Sequence, residues 1–256
     1  MTKNGRAITA AALLAVAALM AVCLLTMEKI DLAEYRASVD YGSMNAEQVA
    51  VMQAILDCSA SGDTAIDQSL TADEFDEVID YIGFYFGTNL AHWNVALWRP
   101  GYAEVKPALL QELEQDKVVL DAEIDKALSG MYEGSDRFKL LQISNYIAAT
   151  VRYSYSLDHI EPLSGLAGRG SCTTYSMLFY KMATRLGIEA YVCYGEVSNG
   201  MRTAGHAWNM VVLNGERSFY DITWYDTPLR MAWYVHSEAA WGRDFTITKL
   251  SDKEFA

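Results

Sequence analysis

Three residues of this chain, Cys172, His206 and Asp221, combine the types and spacing that thiol-mediated acyl transfer requires. A cysteine attacks as its thiolate, a histidine holds and returns the proton, and a carboxylate orients the imidazole. Beyond Cys172, the residues Tyr175, Leu178, Phe179, Met182 and Leu186 fall on one face of a helix, and Gly187 suits its end. The thiol therefore sits at or just before a helix N-terminus, where unpaired N–H groups and the positive dipole end favour the thiolate. Gly168 and Gly170 let the incoming chain turn tightly against that helix.

The other two residues lie on a hairpin. Ile188–Glu196 reads as a strand, and after a Ser-, Asn- and Gly-containing loop come His206–Leu213, Asn214-Gly215 and Glu216–Thr223. Asn-Gly between two β-type runs is a strong hairpin signal. With Asn214 and Gly215 as the central turn residues, Trp208 lies opposite Asp221 and His206 opposite Thr223. The side chains of His206, Trp208 and Asp221 then share one face, with the carboxylate diagonal to the imidazole. A four-residue loop would keep this parity, and a three-residue loop or a bulge would break it.

Gly170-Ser-Cys172, His206-Ala-Trp208-Asn209 and Tyr220-Asp221-Ile-Thr-Trp224 resemble, in that order, the Cys, His and Asp motifs of the transglutaminase-like superfamily. Ser135-Asp136 through Val151-Arg-Tyr153 is similar to the helix that precedes the core in bacterial members. The resemblance implies a papain-like α+β fold with the cysteine-bearing helix packed on an antiparallel sheet. It also implies that Cys172 attacks an amide carbonyl, His206 shuttles the proton and Asp221 holds the imidazole, through a thioester. Water resolves that thioester in peptidases and an amine resolves it in cross-linking transglutaminases. A non-catalytic binding module of the same fold is a third use, from which an intact triad argues away. The backbone N–H of Cys172 is a natural oxyanion donor, with Tyr153 or Tyr155 as further candidates. Trp208, Trp224, Tyr153 and Tyr155 are expected to border the substrate cleft.

These residues need a frame. Residues 131–256 are expected to form the catalytic core, with Phe138, Leu141, Ile143, Ile147 and Val151 of its first helix facing inward and Asp136, Arg137 and Lys139 solvated. A helical region over 46–130 precedes it. Asn45 and Gln48 open one helix, Thr71 and Glu74 have capping-box spacing for a second, and a third runs from about Pro107 toward Leu128. The stretch from Phe84 to Gly101 reads as aromatic and irregular, and residues 28–45 as a juxtamembrane spacer.

Residues 1–27 read as a membrane segment. Ala7–Met27 is uncharged and mostly apolar, and as a helix it would reach about 31 Å, enough to cross a hydrocarbon core. Lys3 and Arg6 precede it and acids outnumber bases just after it, so the N-terminus is expected in the cytoplasm and the rest outside. A cleaved signal peptide, giving a secreted protein, or a lipoprotein at Cys23 stands beside the anchor as an alternative, and all three export the domain.

The net charge is −13, with 33 acidic side chains against 20 basic ones. Such a surface repels phosphate backbones, so no nucleic-acid partner is expected. A protein or peptide substrate is expected, with the cell envelope as one setting. No zinc spacing and no alternating-acid Ca²⁺ loop is present, and neither a metal nor a cofactor is expected. Of the four cysteines, Cys23 lies in the apolar segment, and a Cys58–Cys193 bridge would leave Cys172 free.

Overall fold

The computed structural model describes residues 27–32, 44–87, 94–156, 161–198, 203–226, 236–237 and 245–250. Apart from Met27, the expected membrane segment lies outside these residues. Among the described residues, no helix is long and apolar enough to cross a membrane.

Two hydrophobic cores share one long helix. The first core gathers helix α1 (Ala46–Ser61), strand β1 (Ala65–Asp67), helix α2 (Ala72–Phe86), and strands β2 (Ala96–Arg99) and β3 (Tyr102–Val105). The caps form as the spacing implies. The Asn45 carboxamide oxygen accepts the Gln48 N–H while the Gln48 side chain accepts the Asn45 N–H, and Thr71 and Glu74 pair the same way. The stretch expected to be irregular supplies β2, which joins an antiparallel sheet of order β1-β3-β2. Its strands are three or four residues long, too short to show alternation in sequence.

Helix α3 (Pro107–Ser129) links the cores. Leu110 and Leu113 in its first half pack in the first core, whereas Leu120, Ile124 and Leu128 pack in the second. The junction expected near residue 130, which is not one between independent domains, falls at the end of a helix that packs in both cores.

The second half is α+β. Helix α4 (Asp136–Thr150), strand β4 (Arg152–Tyr153), helix α5 (Pro162–Leu166) and strand β5 (Arg169–Gly170) lead into helix α6 (Cys172–Arg185). Strands β6 (Ala190–Ser198), β7 (Thr203–Leu213) and β8 (Glu216–Tyr220), helix α7 (Ile222–Tyr225), and strands β9 (His236–Ser237) and β10 (Phe245–Leu250) follow. The five later strands form an antiparallel sheet of order β10-β6-β7-β8-β9, and α6 packs on β6 and β7. Tyr175, Leu178, Phe179, Met182 and Leu186 are all buried there, as their helical spacing requires.

In α4 the buried row is Leu140, Ile143 and Ile147, continued by Val151, while Phe138 and Leu141 are half-buried. Lys139, expected in solvent, is buried with its ammonium 3.1 Å from the Glu133 carboxylate. The buried face is thus rotated by about one residue, an error that a partnered lysine makes possible.

Residues 28–32 are not a free spacer. Ile30 is 4% exposed within the second core, its N–H donates to the Met131 carbonyl, and the Glu133 N–H donates to the Glu28 carbonyl. The Lys29 ammonium sits 3.5 Å from the centre of the Tyr132 ring. Residues 33–43 lie outside the described residues.

Candidate active site

Cys172 is the first residue of α6, and a two-residue parallel pairing sets its approach. The Arg152 N–H donates to the Gly168 carbonyl and the Ser154 N–H to the Gly170 carbonyl, at 3.1 and 2.8 Å. A Cβ on Gly170 would fall 2.5 Å from Thr174 Cβ, so only glycine lets this strand run so close to the first turn of α6. Thr174 Oγ1 accepts the Ser171 N–H at 3.1 Å. The Tyr175 hydroxyl lies 2.9 Å from both the Val151 carbonyl and the Asp226 carboxylate, tying the helix start to its surroundings.

The β7–β8 hairpin brings the other two residues. Asn214 and Gly215 have φ of 54° and 81°, the primed turn for which Asn-Gly is suited. Pairing runs from Leu213 opposite Glu216 to Asn209 opposite Tyr220, the register expected from the turn. Asp221 then leaves the ladder to cap α7, its Oδ1 accepting the Trp224 N–H at 3.0 Å. Its Oδ2 lies 2.7 Å from His206 Nε2, and the carboxylate is fully buried.

With Nε2 occupied, Nδ1 is the nitrogen left for the hydrogen bond that His206 makes with Cys172. The backbone N–H groups of Ala207 and Thr173 also favour the thiolate, and burial first, then the Cys172 charge, raises the Tyr153 phenol. Burial opposes the thiolate, but the hydrogen bond and charge of His206, with the two N–H donors, outweigh it and hold the thiol below its ordinary value. For His206, burial opposes the imidazolium, yet the hydrogen bonds to Asp221 and Cys172 and their negative charges raise it to about 9. Each group thus favours the charged form of the other.

Cleft-bordering residues divide. Trp224 is half-buried, with its ring centre 5.6 Å from that of the imidazole. Tyr153 is 41% and Tyr155 91% exposed, their rings edge-on at 4.9 Å. Trp208 requires a correction, because it is fully buried and packs with Tyr191, Cys193, Met210 and Phe219. Strand alternation puts it on the face of His206, but that face is already interior at this position. Its indole backs the imidazole, 5.9 Å between ring centres, and borders no open cleft.

Asn209, the last residue of the His motif, has a structural part here that the resemblance does not assign. Buried Asn209 donates from Nδ2 to the Ser176 carbonyl of α6 at 3.0 Å and to the Tyr191 carbonyl of β6 at 3.2 Å, pinning the histidine's strand to the cysteine's helix. An amide between Trp208 and Met210 in an apolar strand is the one signal of it in the sequence. The Ala207 and Thr173 donors are backbone groups with no sequence signature. Cys58 and Cys193 are buried free thiols in different cores, and no bridge joins them.

Residues 126–226 match the family model described as the transglutaminase-like superfamily. Among solved structures, a TGase crystal structure is similar at 18% identity and a TM-score of 0.38, over 45% of this chain and 34% of that one. A Cytophaga hutchinsonii protein, provisionally described as a cysteine protease, is similar at 18% identity and a TM-score of 0.36, over 51% of this chain and 46% of that one. The matched part thus spans less than half the length of either. No curated protein matches the chain.

Proposed function

We propose, from the transglutaminase-like domain at residues 126–226, that this protein is a thiol-dependent hydrolase of peptide or isopeptide amide bonds. The observation that carries the reading is one imidazole hydrogen-bonded to both the Cys172 sulfur and the Asp221 carboxylate. In this reading the thiolate attacks the amide carbon, forming S–C while the carbonyl π electrons move to oxygen. Collapse of that oxyanion breaks C–N, and His206 Nδ1 gives its proton to the departing amine. Water then attacks the thioester, its proton passes to His206, and the thiolate leaves. Asp221 holds the imidazole throughout.

Iodoacetamide alkylation followed across pH, read on the Cys172 peptide, tests the activation. Cys172 is expected to titrate below the roughly 8.5 of a free thiol, and His206→Ala to return it toward that value. An ordinary titration in the parent protein, unchanged by His206→Ala, defeats the proposal. A tagged primary amine offered with a glutamine peptide distinguishes the acceptor. Hydrolysis is expected, and incorporation without hydrolysis would make the protein a cross-linking transglutaminase instead.

The same reading puts the domain outside the cytoplasmic membrane on an anchor at Ala7–Met27, supported by the length and flanking charges of that segment. Protease added outside intact cells should digest the domain, while the uncut chain should fractionate with membranes. A chain protected from the protease contradicts this placement.

A further inference from the structure

Asn209 stands where the elements carrying all three triad residues meet. It follows His206 along β7 and lies opposite Tyr220 of β8, the residue before Asp221. Its Nδ2 donates at 3.0 Å to the carbonyl of Ser176, one turn into α6 from Cys172, and the Ser176 hydroxyl donates at 2.9 Å to the Cys172 carbonyl. On its other side β7 pairs with β6, where Val192 is the partner of Asn209 and the preceding Tyr191 carbonyl accepts from the same Nδ2 at 3.2 Å. One NH2 group on the histidine's strand therefore holds both the cysteine's helix and the neighbouring strand.

Satisfying those carbonyls does not by itself call for an amide. Inside α6 the Ser176 carbonyl has the Tyr180 N–H as its helical partner, and a second lone pair is what the amide occupies. Both contacted atoms are acceptors, so only the NH2 half of the side chain can face them. Asn209 is fully buried, and its Oδ1 has no protein partner among the described residues. A buried amide with one half unsatisfied costs stability relative to a hydrocarbon of the same shape. Leucine, which branches at Cγ as asparagine does, would carry no such cost.

What the amide supplies and leucine does not is direction. Apolar packing of a helix on a sheet keeps the fold while losing uniqueness, whereas directional hydrogen bonds select one arrangement. We propose that Asn209 is a positioning residue for the thiol-hydrolase reaction, the reading on which this inference rests. Its two hydrogen bonds seat α6 on β6 and β7 and thereby set the separation of the Cys172 sulfur from the His206 imidazole. No bond to Asn209 is made or broken during the reaction.

Asn209→Leu and Asn209→Ser in the full chain test the role. The first keeps the shape without the donor; the second is too short to reach either carbonyl and adds no volume. Leu128→Ala, a buried truncation on α3 in the same core, is the control for general loosening. Thermal melting shows which variants fold, and Asn209→Leu should melt no lower than Leu128→Ala. The iodoacetamide midpoint of Cys172 should rise toward the roughly 8.5 of a free thiol in both Asn209 variants and stay at the parent's value in Leu128→Ala. With the glutamine peptide, kcat should fall by about a hundredfold in both Asn209 variants with KM little changed, the loss that a misplacement of about 1 Å brings.

A midpoint and a kcat equal to the parent's in a folded Asn209 variant overturn the positioning role. An equal rise in Leu128→Ala also overturns it, since the effect would then be a general softening of the core. If Asn209→Leu does not fold, Asn209→Ser decides; if neither folds, the amide is a folding determinant and the positioning role fails. An ordinary thiol titration in the unsubstituted protein sinks the catalytic reading and this inference with it, and is told apart because it occurs with Asn209 in place.

Discussion

Asp221 is buried with both oxygens engaged, one by the Trp224 N–H at 3.0 Å and the other by His206 Nε2 at 2.7 Å. Asp221→Asn conserves shape and can keep the Trp224 bond, but it turns an amide N–H toward Nε2 and favours the wrong imidazole tautomer. Turnover is expected to fall by about 10⁴-fold with the fold intact. The pH profile should change as well. His206 lies near 9 in the folded protein against an ordinary 6.5, so its stabilising charge is fully present below about pH 6.5 and lost as pH rises through about 9. Cys172 is depressed, so its contribution is present above its ordinary value and lost as pH falls through the folded one. In the proposed reaction the imidazolium supplies a proton to the leaving amine, which places the expected alkaline limb of kcat/KM near 9. Removing the Asp221 charge should move that limb toward acid. A limb that stays near 9 with turnover within about tenfold of the parent would refute the orienting role.

Between elements, legibility depended on how much of each signal was local. Helix caps and the Asn214-Gly215 turn are settled within a few residues, and so was the β7–β8 register that carries His206 to Asp221. The three short strands of the first core, the inward rotation of α4 around Lys139, and the interior placement of Trp208 depend on partners far along the chain. No local period reports those. The β4–β5 pairing is another such contact, and it sets Tyr153 opposite Gly170, two residues before Cys172. Gly170→Ala tests it. The added Cβ would meet Thr174 Cβ and Cγ2 at 2.5 Å, both on a buried, branched side chain, so strand and helix start must part. A destabilisation of about 1–3 kcal/mol is expected, together with slower alkylation of Cys172 at neutral pH. A melting temperature and alkylation rate equal to the parent's would show that this approach is not limiting.

At the scale of the molecule, the cysteine's helix is held from both ends by parts of the chain that are distant in sequence. Near its C-terminal end the Lys181 ammonium donates to the Tyr85 carbonyl of α2 at 2.8 Å, and Arg185 meets Asp125 of α3 at 2.8 Å. Residues 28–32 reach the same core from the other direction, Ile30 burying its side chain beside α3 and α4 and pairing its backbone with Met131. If Ala7–Met27 is an anchor, no slack chain separates it from the catalytic half, because docking begins at Glu28. This contact has a measurable cost of removal. Ile30→Ala deletes buried methyl and methylene groups and should lower unfolding stability by about 2–4 kcal/mol, whereas Val118→Ala on the exposed face of α3 should stay within about 0.5 kcal/mol. Because α3 serves both cores, the loss should shift one cooperative denaturant transition, read alike by far-ultraviolet circular dichroism and by the burial of Cys58 in the first core. A midpoint unchanged from the parent would mean that residues 28–32 detach in solution and that the anchor is joined to the core by a flexible tether.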